Sequence, residues 1–325
     1  MATTTVAAPQ TRALHATSTV GVHHAPASLW RDAWRRLARN RPAVASAVVI
    51  LLLVAGALLA GAVAPYPYQK QDLNHVDEAP TALHWLGTDN LGRDLFSRIL
   101  YGARISLAVA AVDALIIVLI GVPLGLIAGY FGRWADGLIM RTVDIFYALP
   151  SLLVIILVMT SLRAFLDGAK VGPLGALAAL DRSVGGLLGV FIALGLVSWL
   201  TVARLVRAQV LSLKQREFVV AARALGAGDW RIIWAHLLPN TIAPIIIAAT
   251  LSMPAAITTE AGLSFLGLGV RPPMPSWGIL IAEGVRTMRV FPHQMLFPGL
   301  ALAITLVCFT FLGDGTRDAL DPQMK

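Results

Sequence analysis

The sequence predicts an all-α integral membrane protein with six transmembrane helices, and three observations carry that prediction. Of its 325 residues, 57% are apolar and 14% charged, with a mean hydropathy of +0.73, whereas soluble chains average about 25% charged. Six apolar runs are each long enough, at about 1.5 Å rise per residue, to cross a hydrocarbon core of about 30 Å. With both termini on one side of the membrane, about sixteen of the 26 Lys and Arg fall on that side and about ten on the other, the excess that marks a cytoplasmic face. The net charge of +8 forms no continuous basic surface with interleaved aromatics, which argues against nucleic acid as a partner. The one cysteine, Cys308, lies in an apolar run, so an intrachain disulfide and a thiolate metal cluster are both excluded, and packing is its expected role.

Residues 1–28 are rich in Ala, Thr, Ser, Pro and His without periodicity and read as a disordered cytoplasmic tail. His15, His23 and His24 are too few for a metal tract, and no metal site is expected. Leu29, Trp30, Ala33, Trp34 and Leu37 stand at helical spacing with arginines between them, as in an amphipathic helix lying on membrane lipid. Residues 1–41 are therefore a tail with an interfacial helix, and residues 42–325 form the membrane domain. Pro42–Ala64 is the first span. Ala62-Val63-Ala64 imitates a signal-peptidase site, but the polar region before it and the apolar run are both too long for a signal peptide, so no cleavage is expected.

Residues 65–103 are polar, with Gly87 and Gly92 marking turns and Arg93, Asp94 and Arg98 reading as a solvated face. The second span, about Ile105–Gly129, carries Gly121, Gly125 and Gly129 at a spacing of four, which admits another helix closely. Asp113 lies about a third of the way in, where a charge needs a partner; pairing within the bundle is the first reading and substrate contact the second. After a turn at Gly132, Arg133 and Asp136, the third span runs about Leu138–Leu162, with Arg141 and Asp144 able to pair at i, i+3 and Pro150 expected to kink it. A Gly-rich outer loop, 163–185, leads to the fourth span, about Gly186–Val206. The fifth, about Thr241–Leu263, is interrupted by Pro244 and Pro254, has Glu260 near its outer end, and is followed by a loop to His293. The sixth is about Gln294–Gly313.

Between the fourth and fifth spans lies the one long polar-flanked segment, about residues 208–240, within which Glu217–Asn240 reads EFVVAARALGAGDWRIIWAHLLPN. Helix formers run from Glu217 to Leu225, Gly226-Ala227-Gly228 breaks the helix, and Asp229 is placed to cap the next one. Trp230, Ile233, Trp234 and Leu237 fall at i, i+3, i+4 and i+7, an apolar stripe on a short helix that carries Arg231 and His236 on its other side and ends by Pro239. On periodicity alone this is a surface hairpin of two helices, with Gly226 at the corner, where a glycine is free to adopt φ > 0 to turn the chain.

This segment resembles the cytoplasmic loop of permease subunits of bacterial ABC importers, in which Glu-Ala-Ala is followed after three residues by Gly and after nine more by Ile, any residue and Leu-Pro. Ala221, Ala222, Gly226, Leu238 and Pro239 are in register, while Val220 stands in place of the Glu and His236 in place of the Ile. Three further stretches are similar to permeases of the oligopeptide, dipeptide and nickel importers. The first is Leu86-Gly87-Thr88-Asp89 with Gly92-Arg93-Asp94, Ser97-Arg98, Tyr101-Gly102 and Arg104-Ile105-Ser106-Leu107. The second is Phe265–Gly269 with Pro272-Pro273 and Pro275-Ser276-Trp277-Gly278, and the third is the tail Gly313–Pro322. The run Val197-Ser198-Trp199-Leu200 with Ala203-Arg204 and Val206-Arg207 looks closest to the oligopeptide permease C-type subunit. The resemblance reaches from about Pro42 to the end. It implies the type I ABC importer permease fold and an ATPase-coupling loop comprising Glu217, Ala221, Ala222, Gly226, Trp230, Trp234, His236, Leu238 and Pro239. It also implies a second homologous permease, two ATPase subunits that hold ATP and Mg, an extracytoplasmic solute-binding protein, a bacterial inner-membrane location with both termini in the cytoplasm, and oligopeptide or dipeptide substrates, with nickel or another small solute as the alternative.

No G-x-x-x-x-G-K-[ST] loop is present, so nucleotide chemistry falls to partners and no cofactor or catalytic residue is expected in this chain. A secondary transporter would need buried ionisable groups for ion coupling and often repeated halves, for which Asp113 alone is thin support. An intramembrane enzyme would need a motif such as H-E-x-x-H or G-x-S-x-G, and neither occurs. Candidate pathway residues are the acids Asp113 and Glu260 and the helix-breaking Pro150 and Pro254, because freed carbonyls at membrane depth must face protein or water.

Overall fold

The structure, a computed structural model, describes residues 29–168 and 171–321. The expected tail, with His15, His23 and His24, lies outside the described residues. Among the described residues there is no strand, only an isolated bridge between Thr88 and Asp94, and six helical stretches are long and apolar enough to cross a membrane.

Helix α1 (Leu29–Arg39) is joined to α2 (Arg41–Leu58) through Asn40, whose side chain accepts from the Ala43 N–H at 3.2 Å and caps α2. The first span then breaks at Leu59 before the short α3 (Ala60–Val63). Residues 64–94 are irregular until Asp94, whose carboxylate accepts from the Ser97 N–H at 2.8 Å and starts α4 (Leu95–Ile116). The second span therefore begins about ten residues earlier than the apolar run indicates. It passes through a π segment, Ile117–Gly121, into α5 (Val122–Phe131), and the continuous helix puts Asp113 at its middle.

The third span departs most from expectation. The Gly132–Asp136 turn is the beginning of α6 (Arg133–Ala148), and Pro150 separates this helix from α7 (Ser151–Gly168) instead of kinking one long helix. A residue before proline is pushed out of the α region, and Leu149 is extended at φ −97°, ψ 141°. The outer loop 163–185 is largely helical, comprising the end of α7 and α8 (Gly172–Ser183). Next come α9 (Leu187–Leu213), α10 (Glu217–Ala224) and α11 (Asp229–Arg231); a second π segment, Ile232–Leu237, leads into α12 (Leu238–Phe265). Helix α13 (Trp277–Thr287) lies inside the expected loop, and α14 (His293–Leu320) carries the sixth span through to the end of the Gly313–Leu320 tail.

The core runs along the bundle as apolar clusters. Helix α5 lies along α9, and the three glycines at spacing four make that approach. A Cβ on Gly125 would stand 2.6 Å from the Ala203 carbonyl oxygen and 2.7 Å from Val206 Cβ, and one on Gly129 2.7 Å from Val210 Cβ. Helices α2, α12 and α13 pack on α14, and Cys308 is buried there with Ile50, Ala110, Ile257 and Phe309, the packing role read from its apolar setting.

At the other side of residues 64–94, the expected solvated face is buried. Arg93, Asp94 and Arg98 are nearly inaccessible. Arg98 Nη1 donates to Asp89 and to Glu283 Oε2 at 2.6 Å, Arg93 Nε donates to Asp89 Oδ2 at 2.7 Å, and His84 Nδ1 lies 2.9 Å from Asp94 Oδ1. Each charge has a partner, the condition under which ionic groups are tolerated inside a protein. The cluster fastens the irregular segment to α4 and α13.

Candidate functional site

The segment Glu217–Pro239 is built on a buried base. Val219 of α10, together with Ile232, Ile233 and Leu237 of the π segment, joins Ile117, Leu126, Tyr130, Val206 and Val210 in one cluster. Gly226 turns the corner at φ +84°, a left-handed conformation that glycine adopts without strain, with open space where a Cβ would sit. Polar contacts brace the base. Lys214 Nζ donates to the Gly129 carbonyl at 2.9 Å, Arg207 pairs with Asp136, and Tyr130 Oη donates to Asp229 Oδ1 at 2.6 Å. The Arg207 guanidinium holds the Asp136 carboxyl below its ordinary range.

Three details of this segment differ from the periodicity reading. Asp229 does not cap its helix: Gly228 holds the capping position without a side-chain bond, and the Asp229 carboxylate is turned to Tyr130. The helix does not end by Pro239 but continues from Asp229 to Phe265. A π turn widens the hydrogen-bonded ring just before a residue that cannot donate, and Pro123 follows the Ile117–Gly121 π segment in the same way. The apolar stripe is also split, since the π geometry rotates Ile232, Ile233 and Leu237 inward and leaves Trp230 58% and Trp234 54% exposed. Glu217, Ala221 and Pro239 are exposed, and Ala222, His236 and Leu238 are half-buried. Phe218, Val220 and Leu225 add to an outward apolar surface.

The intramembrane candidates are not gathered into one site. Asp113 is 2% exposed, and the Ser198 and Ser252 hydroxyls stand beside it. Both hydroxyls donate to carbonyls of their own helices, Leu194 and Ala249, each at 2.9 Å, and Asp113 Oδ1 has no hydrogen-bond partner. Glu260 is fully buried with different neighbours, accepting from Ser264 Oγ at 2.6 Å and Ser106 Oγ at 3.3 Å. Pro254 is half-buried within α12, which continues unbroken through both Pro244 and Pro254 and is not interrupted there as expected, and Pro150 is exposed between α6 and α7. Asp144 pairs with Arg204 of α9 at 2.7 Å, and not with Arg141 as the i, i+3 spacing indicated. Sequence reasoning missed Tyr130 and Arg223; the available signal was a tyrosine at the polar end of an apolar run, where its hydroxyl needs a partner.

Comparison with known proteins bears on what this bundle is. The family described as binding-protein-dependent transport system inner membrane component matches residues 121–325, and the N-terminal transmembrane domain of oligopeptide transport permease C matches residues 28–80. The chain is 42% identical over 297 residues to the glutathione transport system permease protein of Pectobacterium atrosepticum, covering 91% of this chain and 92% of that one. It is 42% identical over 300 residues to the dipeptide transport system permease protein of Bacillus subtilis (92% and 87%), and 39% identical over 298 residues to the oligopeptide transport system permease protein of the same organism (92% and 91%). Among solved structures, an inward-facing form of the MetNI methionine ABC transporter superposes with a TM-score of 0.53 at 20% identity, over 70% of this chain and 98% of that one, a likeness of fold. With six membrane-crossing helices in that fold and matches spanning most of its length, the chain belongs to the family of inner-membrane permease components of binding-protein-dependent ABC importers.

Proposed function

We propose that this permease admits short peptides and that Glu217–Pro239 is its docking element for the ATPase subunits. The observation that carries the reading is the exposed apolar surface of Phe218, Val220, Leu225, Trp230 and Trp234, none of which lies in the core, presented on a hairpin whose other face is buried in the bundle. Exposed aromatics rimmed by polar residues mark a protein-binding surface. The relatives transport glutathione, dipeptides and oligopeptides by their names, which supports a peptide-class solute. With the docking element in the cytoplasm, both termini are cytoplasmic and a solute-binding protein meets the opposite face. Asp113, Glu260, the helix break at Pro150 and Pro254 within the continuous α12 are the groups we assign to the pathway. ATP binding drives transport by favouring one of two states of the bundle, which requires a differential contact with the ATPases.

Gly226→Val tests the docking element. Nothing lies within 4 Å of the site, so the substitution acts through φ alone and costs about 1 kcal/mol or more, the β-branch adding to it. At matched expression, insertion is retained while ATPase co-purification and labelled-dipeptide uptake fall by about fivefold or more. Val220→Glu, at a position 54% exposed, leaves both unchanged. Normal ATPase retention and uptake in Gly226→Val would reduce the segment to a connector, and uptake of labelled nickel but not dipeptide would move the substrate to the alternative class.

A further inference from the structure

The Glu217–Pro239 segment is joined by chain connectivity to α9 and α12, and side chains tie it to a span that is not its neighbour in sequence. Tyr130, one residue from the end of α5, is 9% exposed. Its hydroxyl donates to Asp229 Oδ1 at 2.6 Å, and the Arg223 guanidinium carbon stands 5.8 Å from the ring centroid. One phenol thus engages residues on both sides of the Gly226 corner, Arg223 before it and Asp229 after it. The adjacent Phe131 ring meets Trp230 edge-on at 6.0 Å. Helix α5 is in turn locked against α9 where the glycines at 121, 125 and 129 let the two backbones approach.

We propose that Tyr130 is a positioning residue that makes the docking element move with the second span. A hairpin turning at Gly226 and Gly228, with open space around both, is compliant by itself, because glycine restricts the backbone least. A hydroxyl–carboxylate bond is short, directional and stronger than a neutral one, and the ring face adds an attraction for the Arg223 cation. Displacement of the segment by an ATPase then carries the end of α5 with it, and the close α5–α9 contact passes the displacement into the bundle. Removing the hydroxyl leaves the ring packed and the segment attached to α9 and α12, with apolar and ring packing but no directional bond to the Asp229 carboxylate holding it to α5.

This inference rests on the docking reading, and the experiment separates the two. Nitroxide labels are placed at Ala224→Cys, exposed at the end of α10 and outside the apolar docking surface, and Leu119→Cys, 63% exposed on the second span, in a Cys308→Ser background. The permease is assembled with its ATPases, and the label-to-label distance is measured with and without Mg-ATP. With the hydroxyl present the distance distribution is unchanged by Mg-ATP, since both labels move together. In Tyr130→Phe and Asp229→Ala it shifts or broadens at least twofold on Mg-ATP addition, Asp229→Asn, which keeps an acceptor oxygen, restores it, and the double variant Tyr130→Phe/Asp229→Ala is no worse than either single one. A Mg-ATP-dependent distance change with the hydroxyl present, or no change in Tyr130→Phe, overturns the positioning role while the docking element stands. Failure of the ATPases to co-purify with the chain that keeps Phe218, Val220, Leu225, Trp230 and Trp234 overturns the docking reading itself.

Discussion

Arg98 and Asp113 are both buried, ionisable and remote from the Glu217–Pro239 segment, and each keeps one buried polar atom without a hydrogen bond, Arg98 Nε and Asp113 Oδ1, but only Arg98 has counter-charges. Arg98 is 1% exposed and shared between Asp89 and Glu283, so its charge is spent on two partners. Removing one member of such a cluster strands the others without a counter-charge, at a typical cost of about 3–5 kcal/mol. Asp113 is as deeply placed but has no ion-pair partner to offset its unbonded carboxyl oxygen, and an unsatisfied buried polar group costs about 1–3 kcal/mol. Thermal unfolding in detergent is therefore expected to move in opposite directions, falling in Arg98→Ala and rising in Asp113→Ala. If Asp113 serves the pathway, the stabilised variant loses uptake, the exchange of stability for function that strained sites show. A stable Arg98→Ala, or an Asp113→Ala no more stable than the parent, contradicts the respective assignment.

The α5–α9 pair is a closely constrained contact between helices. Its glycines do not serve flexibility, since any side chain on Gly125 would overlap the Ala203 carbonyl and Val206. Small residues at a membrane helix interface let backbones approach, and overfilling a packed contact costs about 1–3 kcal/mol or more. Gly125→Leu should thus depress the yield of monodisperse protein, while Gly299→Ala in α14, with nothing within 4 Å of the new methyl, should not. Equal yields would mean that the two helices are free to separate. The π segments act at the same scale. Each precedes a proline, each lines the cluster that supports the docking element, and each lets a long helix continue where a regular one would stop.

For the whole molecule, orientation is the quantity to measure. On the orientation proposed from the Lys and Arg asymmetry, the hairpin lies on the cytoplasmic side and Ala79, exposed in the irregular segment before α4, on the other. In a Cys308→Ser background, an impermeant thiol reagent applied to intact cells is expected to label Ala79→Cys and not Leu225→Cys. Labelling of the hairpin from outside would reverse the topology and remove the ATPases from reach of it.

Much of the architecture is local and was therefore legible in the chain. Six apolar runs, their order, the Gly226 corner and the glycine face of the second span follow from composition and periodicity, which act over one or two helical turns. Span ends were less legible because a helix start depends on its cap: Asp94 begins α4 within a stretch whose polarity reads as loop. The tertiary structure decided what polarity alone misreads. Arg93 and Arg98 look solvated until Glu283, 185 residues beyond Arg98, supplies a counter-charge to both. Asp229 looks like a cap until Tyr130 takes its carboxylate across 99 residues, and Pro239 looks like a helix end until the π turn before it carries the chain past. Each of these depends on which distant group arrives to satisfy a buried donor or acceptor, a pairing that no local window of sequence contains.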